Sequence, residues 1–143
     1  MCIRDSIGKA EVRKAGKDAT IVATSIMVHK SLEAAATLAA EGIDVEVIDL
    51  RTLRPIDTAT IIESVKKTSR LACVYEGVKT LGIGAEISAR IAESEAFDYL
   101  DAPILRLGGA ESPIPYNPEL EKAAVPQVPG IIEGLRNLVR GRM

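Results

Sequence analysis

The chain has 143 residues, of which 47% are hydrophobic, 27% charged and only 3% aromatic, and its formal net charge is -2. Such a chain is long enough to form one domain with a hydrophobic core that needs no metal or crosslink. The near-neutral charge without a basic stripe argues against nucleic acid or an anionic membrane as partner, and no apolar run reaches the roughly 20 residues of a membrane span. Cys2, Cys73 and His29 offer neither a disulfide framework nor a metal site, which indicates a reducing compartment.

The first residues fit neither the strand nor the helix period. Residues 1–6 read MCIRDS and lead directly into charged, turn-rich sequence. We therefore predict that residues 1–7 are a non-native or disordered start, and that the domain comprises residues 8–143.

Short β-branched runs alternate with amphipathic helical segments along the rest of the chain. Strands are predicted at residues 19–24, 45–49, 70–75 and 102–107. Helices are predicted after Ser25, after Asp57, over residues 84–96 and near the end, where Ile131, Ile132, Leu135, Leu138 and Val139 share one face.

The helix ends carry their own signals. Ser25 is predicted to cap the first helix and Gly42 to end it in a left-handed turn. Asp57 is predicted to cap the second helix, and Lys66 and Lys67 suit its C-terminal dipole. The stretch 108–130 holds five of the seven prolines, which predicts an extended surface segment.

Strands that alternate with helices indicate parallel βαβ units with helices on both faces of one sheet. The sequence therefore predicts an α/β fold, a three-layer α/β/α sandwich. Residues 10–13 precede the first buried strand by a tight turn, and they are predicted to form an antiparallel edge strand.

Ligands of such sheets bind beyond the C-terminal strand ends. Arg51 and Arg54 follow Asp49 in one of these loops and are suited to bidentate recognition of a phosphate or a partner's acid. The structural alternative, which we favour, is an Asp-Arg pair that fixes the loop.

Glu76 is predicted at a strand tip, and Gly82 and Gly84 at a helix start, where backbone N–H groups can meet an anion. Gly82 and Gly84 do not complete a dinucleotide fingerprint, so close packing of helix against strand is the favoured explanation. His29 lacks a catalytic partner, Cys73 reads as a small buried hydrophobe, and Ser25 lacks a nucleophile-elbow motif. The residues alone predict no catalytic and no metal-binding residue.

Several of these segments together resemble the C-terminal domain of the beta subunit of pyruvate dehydrogenase's decarboxylating component, a member of the transketolase-like thiamine diphosphate enzymes. The matching segments are residues 27–35 (MVHKSLEAA), 47–57 (VIDLRTLRPID), 82–87 (GIGAEI), 97–103 (FDYLDAP) and 113–116 (PIPY). The resemblance implies a mixed, mostly parallel five-stranded sheet with one antiparallel edge strand.

The resemblance also implies that the residues that bind and activate the cofactor lie outside this domain. In that family the glutamate that activates the cofactor lies in a preceding pyrimidine-binding domain, and the alpha subunit holds the diphosphate and its magnesium. We therefore expect thiamine diphosphate and magnesium in the parent enzyme but not bound to this chain alone, and no activating role for Glu76. The isolated chain is expected to be inactive.

The implied role is assembly. The expected partners are the alpha subunit, a second beta subunit and the dihydrolipoyl acyltransferase core, with Asp101 and the C-terminal end facing the basic core-binding module. The chain departs from the family in Val78-Lys79, where Trp-Pro is common, and in its basic C-terminus, which ends in Arg140-Gly141-Arg142-Met143. The implied location is the cytoplasm in a bacterium or the mitochondrial matrix in a eukaryote.

Other functions stay open at this point. One is an anion- or small-molecule-binding regulatory module that uses Arg51, Arg54 and the helix start at Gly82 and Gly84. Another is the same domain from a branched-chain 2-oxo acid or acetoin dehydrogenase. An independent oxidoreductase is disfavoured, because no dinucleotide fingerprint follows the first strand.

Overall fold

The computed structural model describes residues 6–141, so the predicted start is described only from Ser6 onward. Strands and helices alternate through most of this length, as predicted. The elements are β1 (Glu11–Lys14), β2 (Ala19–Ala23), α1 (Ile26–Ala40), β3 (Val45–Asp49), α2 (Thr58–Thr68), β4 (Leu71–Val78), α3 (Ile83–Ala92), a 3₁₀ helix (Glu95–Tyr99), β5 (Leu105–Gly109), α4 (Pro118–Ala124) and α5 (Val128–Arg140).

The five strands form one mixed sheet in the order β1-β3-β2-β4-β5. β3, β2, β4 and β5 are parallel, whereas β1 pairs antiparallel with β3. The predicted three-layer α/β sandwich with an antiparallel edge strand is confirmed. β1 lies beside β3 rather than beside the strand that follows it, because β2 already has a neighbour on each edge.

Alternate residues of the central strands point to opposite faces of the sheet and into two separate cores. Ile21 and Val47 pack with Leu38 of α1 and with the buried face of α5. On the other face, Val22 and Ile48 pack with residues of α2 and α3. The residues of α5 that are fully buried, Ile131, Leu135 and Leu138, all belong to the predicted apolar face.

Helix ends follow the sequence signals in three of four cases, and Lys66 and Lys67 lie in the last turn of α2 as predicted. Asp57 accepts a hydrogen bond from the Thr60 backbone N–H at 3.2 Å, and Gly42 has the left-handed φ of 81° that ends α1. The prediction for Ser25 is wrong: it occupies the N-cap position, but its side chain makes no capping bond and its φ is 54°. Backbone bonds begin the helix instead, from Met27 to the Thr24 carbonyl and from Val28 to the Ser25 carbonyl.

Three further boundaries differ from the predictions. α3 ends at Ala92 rather than near Ala96, because the Ser94 side chain caps a new 3₁₀ turn by accepting from the Ala96 N–H. β4 extends to Val78, and β5 begins only at Leu105.

The proline-rich stretch is not wholly extended, because it contains α4. Proline is well suited to the first turn of a helix, and Pro118 occupies it. Asn117 caps the same turn by accepting from Glu119 and Leu120. Prolines in this stretch therefore mark a helix start as well as interrupting regular structure.

Candidate functional site

The loop after β3 is held by its own polar groups. The Arg51 N–H donates to the Asp49 carboxylate at 2.9 Å, and the Arg51 guanidinium pairs with Glu11 on the neighbouring edge strand. Thr52 donates its hydroxyl to the Pro55 carbonyl at 2.8 Å. Asp49 thus contacts the backbone of Arg51, while the guanidinium joins the loop to β1.

Arg54 lies in different surroundings. It lines a cleft of about 430 Å³ with Leu53, Glu86 and Arg90, and Arg90 is paired with Glu86 at 2.7 Å. The anion-binding alternative requires Arg51, Arg54 and the glycine helix start to act on one ligand. In the described residues the Arg51 guanidinium pairs with Glu11, whereas Arg54 lines a separate cleft that also contains the carboxylate residue Glu86.

Gly82 and Gly84 lie against the ring of Tyr75, which is only 3% exposed. A Cβ on Gly84 would lie 2.3 Å from Tyr75 Cε1, and a Cβ on Gly82 would lie 2.2 Å from the Val78 carbonyl oxygen. Both distances are too short for a side chain, so α3 and β4 approach closely only with glycine here. Burial raises the pKa of the Tyr75 hydroxyl, and the nearby Arg106 opposes this rise.

Glu76 is exposed and lies within β4, not at its tip. The loop beyond it is tethered to the segment after β5. Glu111 accepts from the Thr80 N–H at 2.9 Å, which lowers the pKa of the Glu111 carboxyl, and Arg106 donates to the Lys79 carbonyl at 3.2 Å. These bonds tether the loop after β4 to β5 and to the segment that follows β5, at the C-terminal edge of the sheet.

The tips of these two loops are apolar and exposed. Leu81 is 98% exposed, Tyr116 is fully exposed and Ile114 is more than half exposed. We call these three residues the apolar loop edge. The sequence did not lead us to predict that these three residues are exposed. The available signals were an isolated leucine between Thr80 and Gly82 and apolar residues among prolines. Exposed apolar side chains mark a protein interface where they form one contiguous patch.

Asp101 lies where the 3₁₀ helix leads into β5. Its carboxylate is 3.5 Å from the Arg70 guanidinium and 60% exposed. Its backbone N–H donates to the Ser69 carbonyl at 2.9 Å. A small cleft of about 160 Å³ is lined by Asp101, Leu138 and Gly141 together. The fold thus brings this carboxylate beside the end of α5, forty residues further along the chain.

The remaining candidates have simple surroundings. Cys73 is fully buried, and burial raises the pKa of its thiol to about 12. His29 is exposed on α1. Within residues 6–141 there is no cluster of three or more side chains suited to hold a metal ion. None of the helices in this range has the length and apolar character to cross a membrane.

Comparison with known proteins identifies the class. The family model described as "Transketolase, C-terminal domain" matches residues 8–131, and this chain belongs to that family. It is also similar to the curated pyruvate dehydrogenase E1 component subunit beta of Rhizobium meliloti (strain 1021), with 51% identity over 130 residues, which are 91% of this chain and 28% of that protein.

Two further matches agree with this assignment. The mitochondrial pyruvate dehydrogenase E1 component subunit beta of Dictyostelium discoideum is 53% identical over 134 residues, 94% of this chain and 37% of that protein. A solved structure titled "Split gene transketolase, inactive beta4 tetramer" superposes with a TM-score of 0.83 at 28% identity, covering 99% of this chain and 44% of that one. The chain spans about a third of the length of the curated relatives that it matches.

Proposed function

We propose that this chain is the C-terminal assembly domain of the beta subunit of a thiamine diphosphate-dependent pyruvate dehydrogenase. In this role it holds the alpha subunit and a second beta subunit in place and docks the acyltransferase core, while other domains decarboxylate pyruvate and pass the acetyl group to lipoyl groups. The observation that carries the proposal is identity of about one half over nearly the whole chain to beta subunits of this enzyme.

The described residues favour an assembly role over a catalytic one for this domain. The resemblance to the family implies that a preceding domain activates the cofactor and that the alpha subunit holds the diphosphate and its magnesium. The apolar loop edge (Leu81, Ile114 and Tyr116) presents side chains that a partner subunit would cover. We therefore assign the cofactor and its magnesium to other parts of the enzyme, and we expect the isolated chain to be inactive.

Asp101 is the proposed contact for the basic core-binding module. Its carboxylate is exposed and lies beside the end of α5, so one partner surface would reach both features. An exposed carboxylate that faces lysine or arginine steers association and is screened by salt. The proposed location is the cytoplasm for a bacterial chain and the mitochondrial matrix for a eukaryotic one, as the names of eukaryotic relatives suggest.

The test is binding of the full chain to the isolated core-binding module of a pyruvate dehydrogenase acyltransferase, measured by calorimetry at two salt concentrations. D101A is expected to weaken binding about tenfold, as expected for loss of a charge-assisted contact. The matched control D98A removes a carboxylate from the exposed face of the 3₁₀ helix and leaves the affinity unchanged. Equal loss in both variants, or binding indifferent to D101A, would refute the docking role of Asp101.

A further inference from the structure

An open apolar groove of about 720 Å³ lies between α3 and the segment that leads into β5. We call it the Phe97 groove, because the Phe97 side chain forms part of its wall and is 57% exposed. Leu100 and Ile104 also line it, and both are half-buried against the core on this side of the sheet. The opposite wall is α3, which contributes the small residues Ala85, Ser88 and Ala92. Contiguous apolar surface of this kind marks an interaction site.

The polar side chains of the groove already donate within the chain. The Ser88 hydroxyl donates to the Gly84 carbonyl at 2.6 Å. The Arg106 guanidinium donates to the Lys79 carbonyl at 3.2 Å. Among the described residues that line the groove, Arg106 alone carries a charge. Small-molecule sites combine apolar walls with several polar groups that fix the ligand's orientation, so these walls suit the apolar surface of a protein partner better.

The Phe97 groove is continuous with the surface on which Asp101 lies. Ala102 and Pro103 line both this groove and the small cleft that contains Asp101. A stable protein interface buries about 800 Å² on each partner, and one carboxylate beside a small cleft supplies only part of such an area. A partner that contacts Asp101 must therefore cover neighbouring surface as well, and the groove begins at the next residue.

We propose that the Phe97 groove receives a large aliphatic or aromatic side chain of the same basic module that faces Asp101. This inference rests on the docking role proposed for Asp101 and supplies the apolar half of that interface. Charge assigns the two contacts, because Asp101 attracts a basic side chain whereas Arg106 repels one from the groove. Apolar side chains that fill a pocket contribute more to affinity than exposed ion pairs do, so the groove accounts for affinity and Asp101 for steering.

The test titrates the full chain with the isolated core-binding module of a pyruvate dehydrogenase acyltransferase, by calorimetry at two salt concentrations. A92F fills the groove from an exposed position of α3, and the matched control A89F makes the same change at an exposed position of α3 outside the groove. A92F is expected to weaken binding about tenfold, as for loss of one apolar anchor. Its binding should keep the salt dependence of the unaltered chain, because Asp101 is intact. A89F should leave the affinity unchanged.

F97A gives a second measurement that does not depend on an added side chain. It removes an exposed part of the groove wall and should also weaken binding about tenfold. Burial of apolar surface makes the heat-capacity change of binding negative, so this change should become less negative in F97A. D101A should instead reduce the salt dependence of binding and leave the heat-capacity change as it is.

The outcomes separate this proposal from the docking role of Asp101. Absence of binding by the unaltered chain would overturn both. Binding that weakens in D101A but not in A92F or F97A would overturn the groove proposal alone. Light scattering gives the remaining outcome: if A92F abolishes self-association of the chain and leaves binding of the module intact, the groove holds a second copy and the proposal is wrong.

Discussion

The Asp57 carboxylate links the start of α2 to the segment before β1. Replacing Asp57 therefore tests how much these hydrogen bonds contribute to the stability of the fold. Its carboxylate accepts from the Thr60 N–H at 3.2 Å, from the Thr60 hydroxyl at 2.8 Å and from the Ala10 N–H at 3.0 Å. The first two bonds cap α2, and the third fastens the segment before β1. Asp57 is itself 6% exposed.

The D57A substitution should lower the free energy of unfolding by roughly 2–3 kcal/mol. Loss of a helix cap costs about 1 kcal/mol, and the partly buried Ala10 N–H left without a partner adds about 1–2 kcal/mol. For a chain of this size the melting temperature should fall by about 10 °C. Urea unfolding followed by circular dichroism at 222 nm measures the change.

The pH dependence gives a second, independent result. Burial disfavours the charged form of Asp57, but the hydrogen bonds from Ala10 and Thr60 outweigh it and hold the pKa of the carboxyl below its ordinary 3.8. The charge therefore stabilises the fold above the ordinary pKa, and this contribution is lost as the pH falls through the folded-state pKa. The stability difference between the parent and D57N should accordingly be larger at pH 5 than near pH 2.5.

D57N is the matched variant, because asparagine is a good cap but carries no charge. It should lose less stability than D57A at pH 7. A loss below about 1 kcal/mol in D57A, or a parent-to-D57N difference that stays constant from pH 5 to pH 2.5, would refute the reasoning on Asp57.

Two further predictions concern packing and reactivity. G84A should cost about 1–3 kcal/mol in urea unfolding, because its methyl group would meet the Tyr75 ring. The control is G130A, because Gly130 lies in α5 with open space around it. G130A should leave the free energy of unfolding unchanged or raise it by up to about 1 kcal/mol. Equal effects of G84A and G130A would contradict the packing argument. In a Cys2→Ser background, Cys73 should not react with a thiol reagent at pH 8 until urea unfolds the chain, because burial raises the pKa of the Cys73 thiol to about 12. Rapid labelling of the folded chain would contradict this prediction.

The sequence predicts the buried strands and several helix ends well, because their causes are local. The β-branched run that forms β3 is predicted with its observed bounds, and Asp57 caps α2 as expected. The predictions are wrong where one residue type is compatible with two different local structures. Ser25 is a residue type suited to capping, yet its backbone takes a left-handed φ. The prolines after β5 begin a helix as well as interrupting regular structure.

The surroundings of the site residues depend on distant parts of the chain. Phe97 is a large apolar residue, and nothing local marks it as the wall of a groove, because α3 supplies the opposite wall. Asp101 is brought beside the end of α5 by the packing of the whole domain. The exposure of Leu81 and Tyr116 likewise becomes visible only when the loops are placed.

The most direct test of the assembly role is a calorimetric titration of thiamine diphosphate, with magnesium present, into the purified 143-residue chain. A domain that positions its neighbours while they hold the cofactor should give no saturable binding. Tight binding at one cofactor per chain would contradict the account.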